Sequence, residues 1–210
     1  MRVRADKGVW LVPPTRALWI PPGIEHEFFV KGEVAFRTLY VTPARAGFVT
    51  RPVGTLEVSP LLRELILHIL ALQILGPSLP DQDRLAGLLT DLLNTAAAID
   101  LKLPLPSDAR ARRLADHFQI NPGDTNGLQS LAAMTGASMR TLQRLFVAET
   151  RMTFDAWRQK ARLIASTVSL AEGAKVTTAA LDCGYDSPSA FIAAFKRQFA
   201  MSPRQFVRAG

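Results

Sequence analysis

Residues 184–206 read GYDSPSAFIAAFKRQFAMSPRQF, and the order of residue types in this stretch decides how the second half of the chain folds. Gly184 supplies the backbone freedom of a tight turn, Ser187 suits a helix N-cap, and Pro188 suits the first helical position, where no N–H is needed. A helix is therefore predicted to start at Ser187. Along it Phe191, Phe195 and Phe199 recur every four residues on one face, which marks that face as buried. Ser189, Ile192, Lys196 and Arg197 fall on other faces, and the two cations stay in water. Ser202 followed by Pro203 repeats the cap-and-proline signal and opens a short final helix carrying Phe206. Taken alone, the phenylalanine spacing describes any amphipathic helix.

The same order occurs upstream, in residues 128–151, LQSLAAMTGASMRTLQRLFVAETR. A short helix is expected to end at Gly136 in a left-handed conformation. Ser138 then caps the next helix, and Leu142, Leu145 and Phe146 face inward. In the later copy a short helix runs through Leu181 to Gly184, a cap stands at Ser187, and Phe191 and Phe195 face inward. Counted from each glycine, the paired core residues fall at +6 and +10 and then at +7 and +11, so the second turn is one residue longer. The glycines lie 48 residues apart, and Thr153 to Leu170 joins the copies with Phe154, Trp157, Ala161, Ile164 and Val168 on one stripe. At 1.5 Å per residue this connector is about 27 Å long. It can hold two helices roughly one DNA turn, about 34 Å, apart on one side of a duplex.

Charge is uneven along the chain. Residues 1–108 hold 11 Lys/Arg against 11 Asp/Glu, whereas residues 109–210 hold 14 against 7, so the whole +7 excess sits in the second half. That asymmetry suits a polyanion partner or, failing that, a solvated basic surface. The 210 residues, 48% of them hydrophobic, suffice for one or two packed domains. One cysteine, Cys183, excludes an internal disulfide framework and is read as a core thiol; with no leader evident at MRVRADKGVWLVPPTR, a reducing cytoplasm is expected.

The first half is read as β followed by helix. Short strands are expected at Val9 to Val12, Ala17 to Ile20, Glu27 to Val30 and Val34 to Val41, parted by Pro13-Pro14, Pro21-Pro22-Gly23 and Lys31-Gly32. So few strands close neither a barrel nor a sandwich, which implies that part of a sheet is missing. Two helices follow. Pro60 to Leu75 presents Leu61, Leu65, His68, Leu72 and Leu75, interrupted by polar residues that argue against a membrane span. Asp81 to Ile99 presents Leu85, Leu88, Leu89, Leu92 and Leu93. Together they form a helical hairpin that packs on the β segment or on the same hairpin of a second subunit, which makes a homodimer through residues 60–99 one of two open readings. Lys102 to Pro106, KLPLP, is read as a proline-broken linker. The expected division is residues 1–43, a partial β segment; 44–106, hairpin and linker; and 107–210, the helical repeat.

Two resemblances follow from these motifs. Residues 107–210 resemble the DNA-binding domain of the AraC family of transcription regulators, with its two helix-turn-helix units and long connecting helix. The family's closing pattern is matched by Gly184, Tyr185, Ser187, Ser189, Phe191, Phe195, Lys196, Arg197, Phe199, Ser202, Pro203 and Phe206. Residues 8–43, GVWLVPPTRALWIPPGIEHEFFVKGEVAFRTLYVTP, resemble the closing half of a small cupin barrel, the sensor-type domain of many such regulators. Pro21, Gly23 and His26 match the second cupin metal motif, but Val30 stands where an asparagine is expected and the first motif has no counterpart upstream. One histidine does not make a tight metal site, so His26 is read as structural and no metal, cofactor or catalytic residue is expected.

The fold class implied is α+β: an all-α C-terminal domain of two helix-turn-helix units joined by a long helix, preceded by a partial cupin-like β segment and a helical hairpin. The function implied is sequence-specific transcription regulation in a bacterial-type cytoplasm, with double-stranded DNA as partner. An unidentified small-molecule effector and RNA polymerase are further partners of such regulators. The family reads bases with residues early in each second helix, here Ser138, Met139, Arg140, Gln143 and Arg144, and then Ser187, Pro188, Ser189, Ile192 and Ala193, with Lys196 and Arg197 as anchors. Arginine pairs bidentately with guanine and glutamine with adenine; Arg140 and Arg144 are otherwise phosphate contacts. The second set lacks strong hydrogen-bonding side chains and suits thymine-methyl contacts, shape fit and phosphate anchoring. Arg151 and Ala200 stand where the family has helix-ending glycines, so strain or another cap is expected there. The rivals are a metal-dependent cupin enzyme, against which the missing first motif weighs, and a regulator whose sensor part is inactive.

Overall fold

The computed structural model describes residues 1–6, 8–30, 35–46, 49, 51–76 and 79–208. Its N-terminal part contains β1 (Arg2–Ala5), β2 (Gly8–Leu11), β3 (Arg16–Trp19), β4 (His26–Phe29), the short α1 (Pro43–Ala46), β5 (Gly54–Glu57), α2 (Pro60–Leu72), α3 (Pro80–Thr95), β6 (Ala98–Ile99) and β7 (Lys102–Pro104). The rest is helical: α4 (Ala109–Ile120), α5 (Leu128–Ala133), α6 (Met139–Thr150), α7 (Phe154–Ala171), α8 (Val176–Asp182), α9 (Pro188–Phe199) and α10 (Pro203–Arg208).

The strands pair antiparallel in two sheets, ordered β4-β1-β2-β7 and β3-β5-β6. Three expectations change. No strand forms at residues 35–41, and Val34 lies outside the described residues. The strands beside β2 and β3 come instead from Arg2–Ala5 and from residues beyond 43. Each is only two to four residues long, too short to show alternation. The segment read as a proline-broken linker carries β7, whose Leu103 pairs with Val9. Pro104 ends an edge strand, where its missing donor is tolerated.

Helices α2 and α3 pack against each other through Leu62, Leu65, Ile69 and Leu89. The buried face of α2 keeps the expected Leu65 but is otherwise turned, since Leu62 and Ile69 are buried while Leu61, His68 and Leu72 are exposed. Leucine and isoleucine occur all round this helix, so periodicity alone left the choice of face to the partner. Ser59 caps α2 by accepting from the Leu62 N–H at 3.2 Å. Helix α2 ends at Leu72, and α3 stops at Thr95, where residues 98–99 enter the sheet as β6.

The main core joins both halves. Val9, Ile99, Leu101, Leu103 and Leu105 pack in one buried cluster with Leu114, Phe118, Phe146, Phe154 and Trp157. At this seam the Trp157 indole N–H donates to the Pro104 carbonyl at 2.7 Å, and Lys160 pairs with Asp100 at 2.6 Å. Alternate leucines at 101, 103 and 105 point into the connector helix, which is why the stretch behaves as a strand.

Candidate nucleic-acid interface

Each helix-turn-helix unit is built from a glycine turn and a hydroxyl cap. Gly136 and Gly184 have φ of +68° and +74°, the left-handed region in which glycine is tolerated without a Cβ clash. Ser138 caps α6 by accepting from the Thr141 N–H at 3.2 Å, and Ser187 caps α9 by accepting from the Ala190 N–H at 3.2 Å. Behind these caps Leu142 and Phe146 in α6, and Phe191 and Phe195 in α9, are fully buried. The register read from the two glycines thus describes both cores. Arg151 and Ala200 close α6 and α9 at φ of 61° and 58°, so both accept the left-handed cap without glycine.

Helix α7 joins the units, starting at a Thr153 cap and burying Phe154, Trp157, Ala161 and Ile164. Its 18 residues span about 27 Å. A second brace was not foreseen: the loop 121–127 between α4 and α5 lies against the turn between α8 and α9. A Cβ on Gly123 would sit 2.3 Å from the Asp182 backbone oxygen. From α7, Arg162 donates to the Pro122 carbonyl at 3.1 Å and to the Asp124 carbonyl at 2.7 Å. Asp124 accepts from the Asn126 N–H, which holds its carboxyl below the usual carboxylate range, and it also meets His117 at 2.6 Å. The run NPGDTN carries ordinary turn residues, a signal for a loop but not for what the loop touches.

Of the sequence-expected residues in the first unit, Ser138, Met139, Arg140, Gln143 and Arg144 are all exposed. Ser138, Arg140, Thr141 and Arg144 line one surface depression at the start of α6. The Ser138 hydroxyl is engaged in the cap, while Arg140, Gln143 and Arg144 have no hydrogen-bond or ion-pair partner among the described residues. In the second unit Ser189 and Ala193 are exposed, Ser187 and Pro188 are half-buried in the cap, and Ile192 leans on the core. Lys196 and Arg197 are exposed and likewise without an ion pair among the described residues. By contrast Arg110, Arg112, Arg158 and Lys160 each meet a carboxylate. Cations without an ion pair among the described residues thus stand on α6 and α9, and also on α10 at Arg204 and Arg208.

Other features are separate from this surface. His26 is exposed on β4 with its ring nitrogen 2.9 Å from the Ile24 carbonyl. Among the described residues no group of three or more His, Cys, Asp or Glu side chains gathers as a metal site would require, and no helix is long and apolar enough to cross a membrane. Cys183 ends α8 as a buried thiol whose pKa is pushed up to about 11, first by burial and then by the Asp182 charge.

Residues 131–209 match the helix-turn-helix domain family. The HTH-type transcriptional regulator NimR of Escherichia coli is 34% identical over 204 residues, which cover 96% of this chain and 74% of that protein. The chain belongs to the AraC family of helix-turn-helix transcriptional regulators. The HTH-type transcriptional regulator RipA of Corynebacterium glutamicum is 33% identical over 103 residues, 49% of this chain and 31% of that protein. Among solved structures, the DNA-binding domain of AdpA in complex with a target DNA is 28% identical over 49% of this chain and 93% of that one, with a TM-score of 0.43. Within this AraC-family chain, the two left-handed caps at Arg151 and Ala200 leave the helix-turn-helix cores intact, because both residues stand at helix ends with the cap N–H still bonded to the preceding turn.

Proposed function

We propose that the chain binds operator DNA through two successive major grooves, with the first unit reading bases and the second anchoring. The observation that carries this is the contrast between two equivalent helices on one scaffold. Helix α6 exposes Arg140, Gln143 and Arg144 without intramolecular partners, whereas the matching positions of α9 expose Ser189 and Ala193. Arginine and glutamine have the bidentate geometry that purine edges require, worth about 1–3 kcal/mol each. Ser187, Pro188, Ser189, Ile192 and Ala193 suit a close apolar fit, with Lys196 and Arg197 on phosphate. The 27 Å span of α7 is compatible with spacing the two helices by a DNA turn of about 34 Å.

On this reading the antiparallel sheets are a cupin-type sensor segment for a small-molecule effector. The hairpin α2–α3, which exposes Leu61 and Leu88, is a surface for a second copy. The regulator acts in the cytoplasm with RNA polymerase as its downstream partner. Residues 107–210 form the DNA-binding domain and residues 1–106 the part that controls it.

The test is a pair of substitutions assayed on operator and on unrelated DNA. Arg144→Ala should weaken operator binding about tenfold or more while changing non-specific binding much less. Equal losses on both would make Arg144 a phosphate contact. Lys196→Ala should weaken both DNAs alike and flatten the salt dependence by about one unit of log K against log salt. A loss confined to the operator would contradict the anchoring role.

A further inference from the structure

The sheet containing β3 meets the helical half at a buried charge. Arg16 is only 6% exposed, and its guanidinium lies 4.4 Å over the Phe206 ring. Its Nη2 donates to the Phe206 carbonyl at 2.7 Å, and Nη1 donates to Thr15 at 3.0 Å. Nε is buried without a partner, and among the described residues no carboxylate forms an ion pair with this guanidinium. Glu57, opposite Arg16 across β3 and β5, acts on it through its field alone.

A buried cation without a counter-ion is poor material for holding a sheet together, since an apolar side chain of similar volume would fill the space at lower cost. What the guanidinium supplies is specific to α10. The last four described residues of α10 include Phe206, whose carbonyl has no partner within the helix among the described residues. A cation at the C-terminal end of a helix both bonds such a carbonyl and meets the negative end of the helix dipole. The Phe206 ring beneath it is fully buried and meets Phe195 at 5.7 Å and Phe199 at 6.1 Å, the residues on which α9 rests.

We propose that Arg16 is a positioning residue for DNA recognition by the second unit, acting through Phe206 on the seat of α9. This rests on the DNA-binding reading above. Helix α9 is then backed by α7 of its own domain and, at one remove through Phe206 of α10, by a strand of the N-terminal sheet. A change in β3 would reach the second unit without passing through the first.

The full-length chain carrying Arg16→Met or Arg16→Lys tests this. In the free protein, Arg16→Met should speed amide hydrogen exchange in α9 and α10 by about tenfold, the loss expected for one charge-assisted hydrogen bond, while α5 and α6 keep their rates. Arg16→Lys, which keeps the cation but not the planar cover over the ring, should fall between, and serves if the methionine variant does not fold. On operator DNA, hydroxyl-radical protection should weaken over the half-site covered by the second unit and persist over the other. Acceleration confined to β3, β5 and β6, equal acceleration in both units, or unchanged rates would overturn the proposal, as would equal loss of both halves of the footprint. If the wild-type protein gives no two-part footprint, the DNA-binding reading fails, and the exchange rates still decide whether Arg16 seats α9.

Discussion

Gly123→Ala probes the brace between the two helix-turn-helix units. An alanine Cβ there would lie 2.3 Å from the Asp182 backbone oxygen and 3.3 Å from its carbonyl carbon, where ordinary contact begins at 3.4 Å. Both sides of this contact are backbone, so no side chain can swing away and the two segments must part by about 1 Å. The loop is not free to yield: Arg162 holds the carbonyls on either side of Gly123 at 3.1 and 2.7 Å. Overpacking of this kind costs about 1–3 kcal/mol, and loss of one bond to a charged donor adds about 1.5–3 kcal/mol. Restricting the unfolded chain returns about 0.4–1 kcal/mol. The expected net destabilisation is about 2–4 kcal/mol, or a fall of roughly 5–15 °C in the melting midpoint at this chain length. Gly136→Ala is the control, because its φ is +68° yet nothing lies within 4 Å of an added Cβ; it should cost only about 1–2 kcal/mol of conformational strain. Urea unfolding of both variants gives the comparison. A Gly123 variant no less stable than the Gly136 variant would refute the packing of loop 121–127 on the second turn.

Three other changes probe the same architecture. Ala200→Gly, at an exposed site with φ of 58°, should stabilise the chain by roughly 0.5–1 kcal/mol in a thermal melt, because glycine removes the left-handed penalty. Trp157→Phe keeps most of the ring volume but removes the donor to the Pro104 carbonyl, and should destabilise by about 1–3 kcal/mol in urea; no change would mean that this hydrogen bond does not hold the seam. Cys183, with its pKa raised to about 11 from an ordinary 9.0, stays a thiol in the folded chain where the unfolded chain would ionise. Its contribution to stability is therefore present below pH 9 and is lost as pH rises towards 11. At pH 8.5 iodoacetamide should label the folded protein at least about tenfold more slowly than the urea-unfolded protein.

The helical half was legible because its constraints are local. A glycine that must take positive φ, a serine that must cap and a phenylalanine that must be buried occur at fixed spacings, and the structure places Gly136, Ser138, Phe146, Gly184, Ser187 and Phe195 accordingly. The first half was less so, because its order depends on partners distant in sequence. Strand β7 becomes a strand only beside β2, nearly a hundred positions away, and because Leu101, Leu103 and Leu105 find a core on α7. The two prolines in KLPLP read as a linker as long as that core is not in view. Arg16 likewise reads as an ordinary strand residue until Phe206, 190 positions later, is set against it. Gly123 shows the same limit: its loop character was visible, but its contact with Asp182 is tertiary.

The two units also separate what folding requires from what recognition would use. At the core positions the copies agree in burial although they differ in residue, Leu142 and Phe146 against Phe191 and Phe195, because either pair fills the space behind its helix. At the exposed positions nothing in folding demands agreement, and there the copies diverge most: Arg140 and Arg144 carry charge that no internal partner uses, where α9 offers Ser189 and Ala193. Holding arginines ready without internal ion pairs brings little stability, since exposed pairs themselves contribute about 0–1 kcal/mol. The same small figure means that folding would not have prevented Arg140 or Arg144 from being paired, as Arg110 and Arg112 are. On the DNA-binding reading proposed above, the acceptor suited to two guanidinium forks and an amide on one exposed helix face would be a row of purine edges and phosphates.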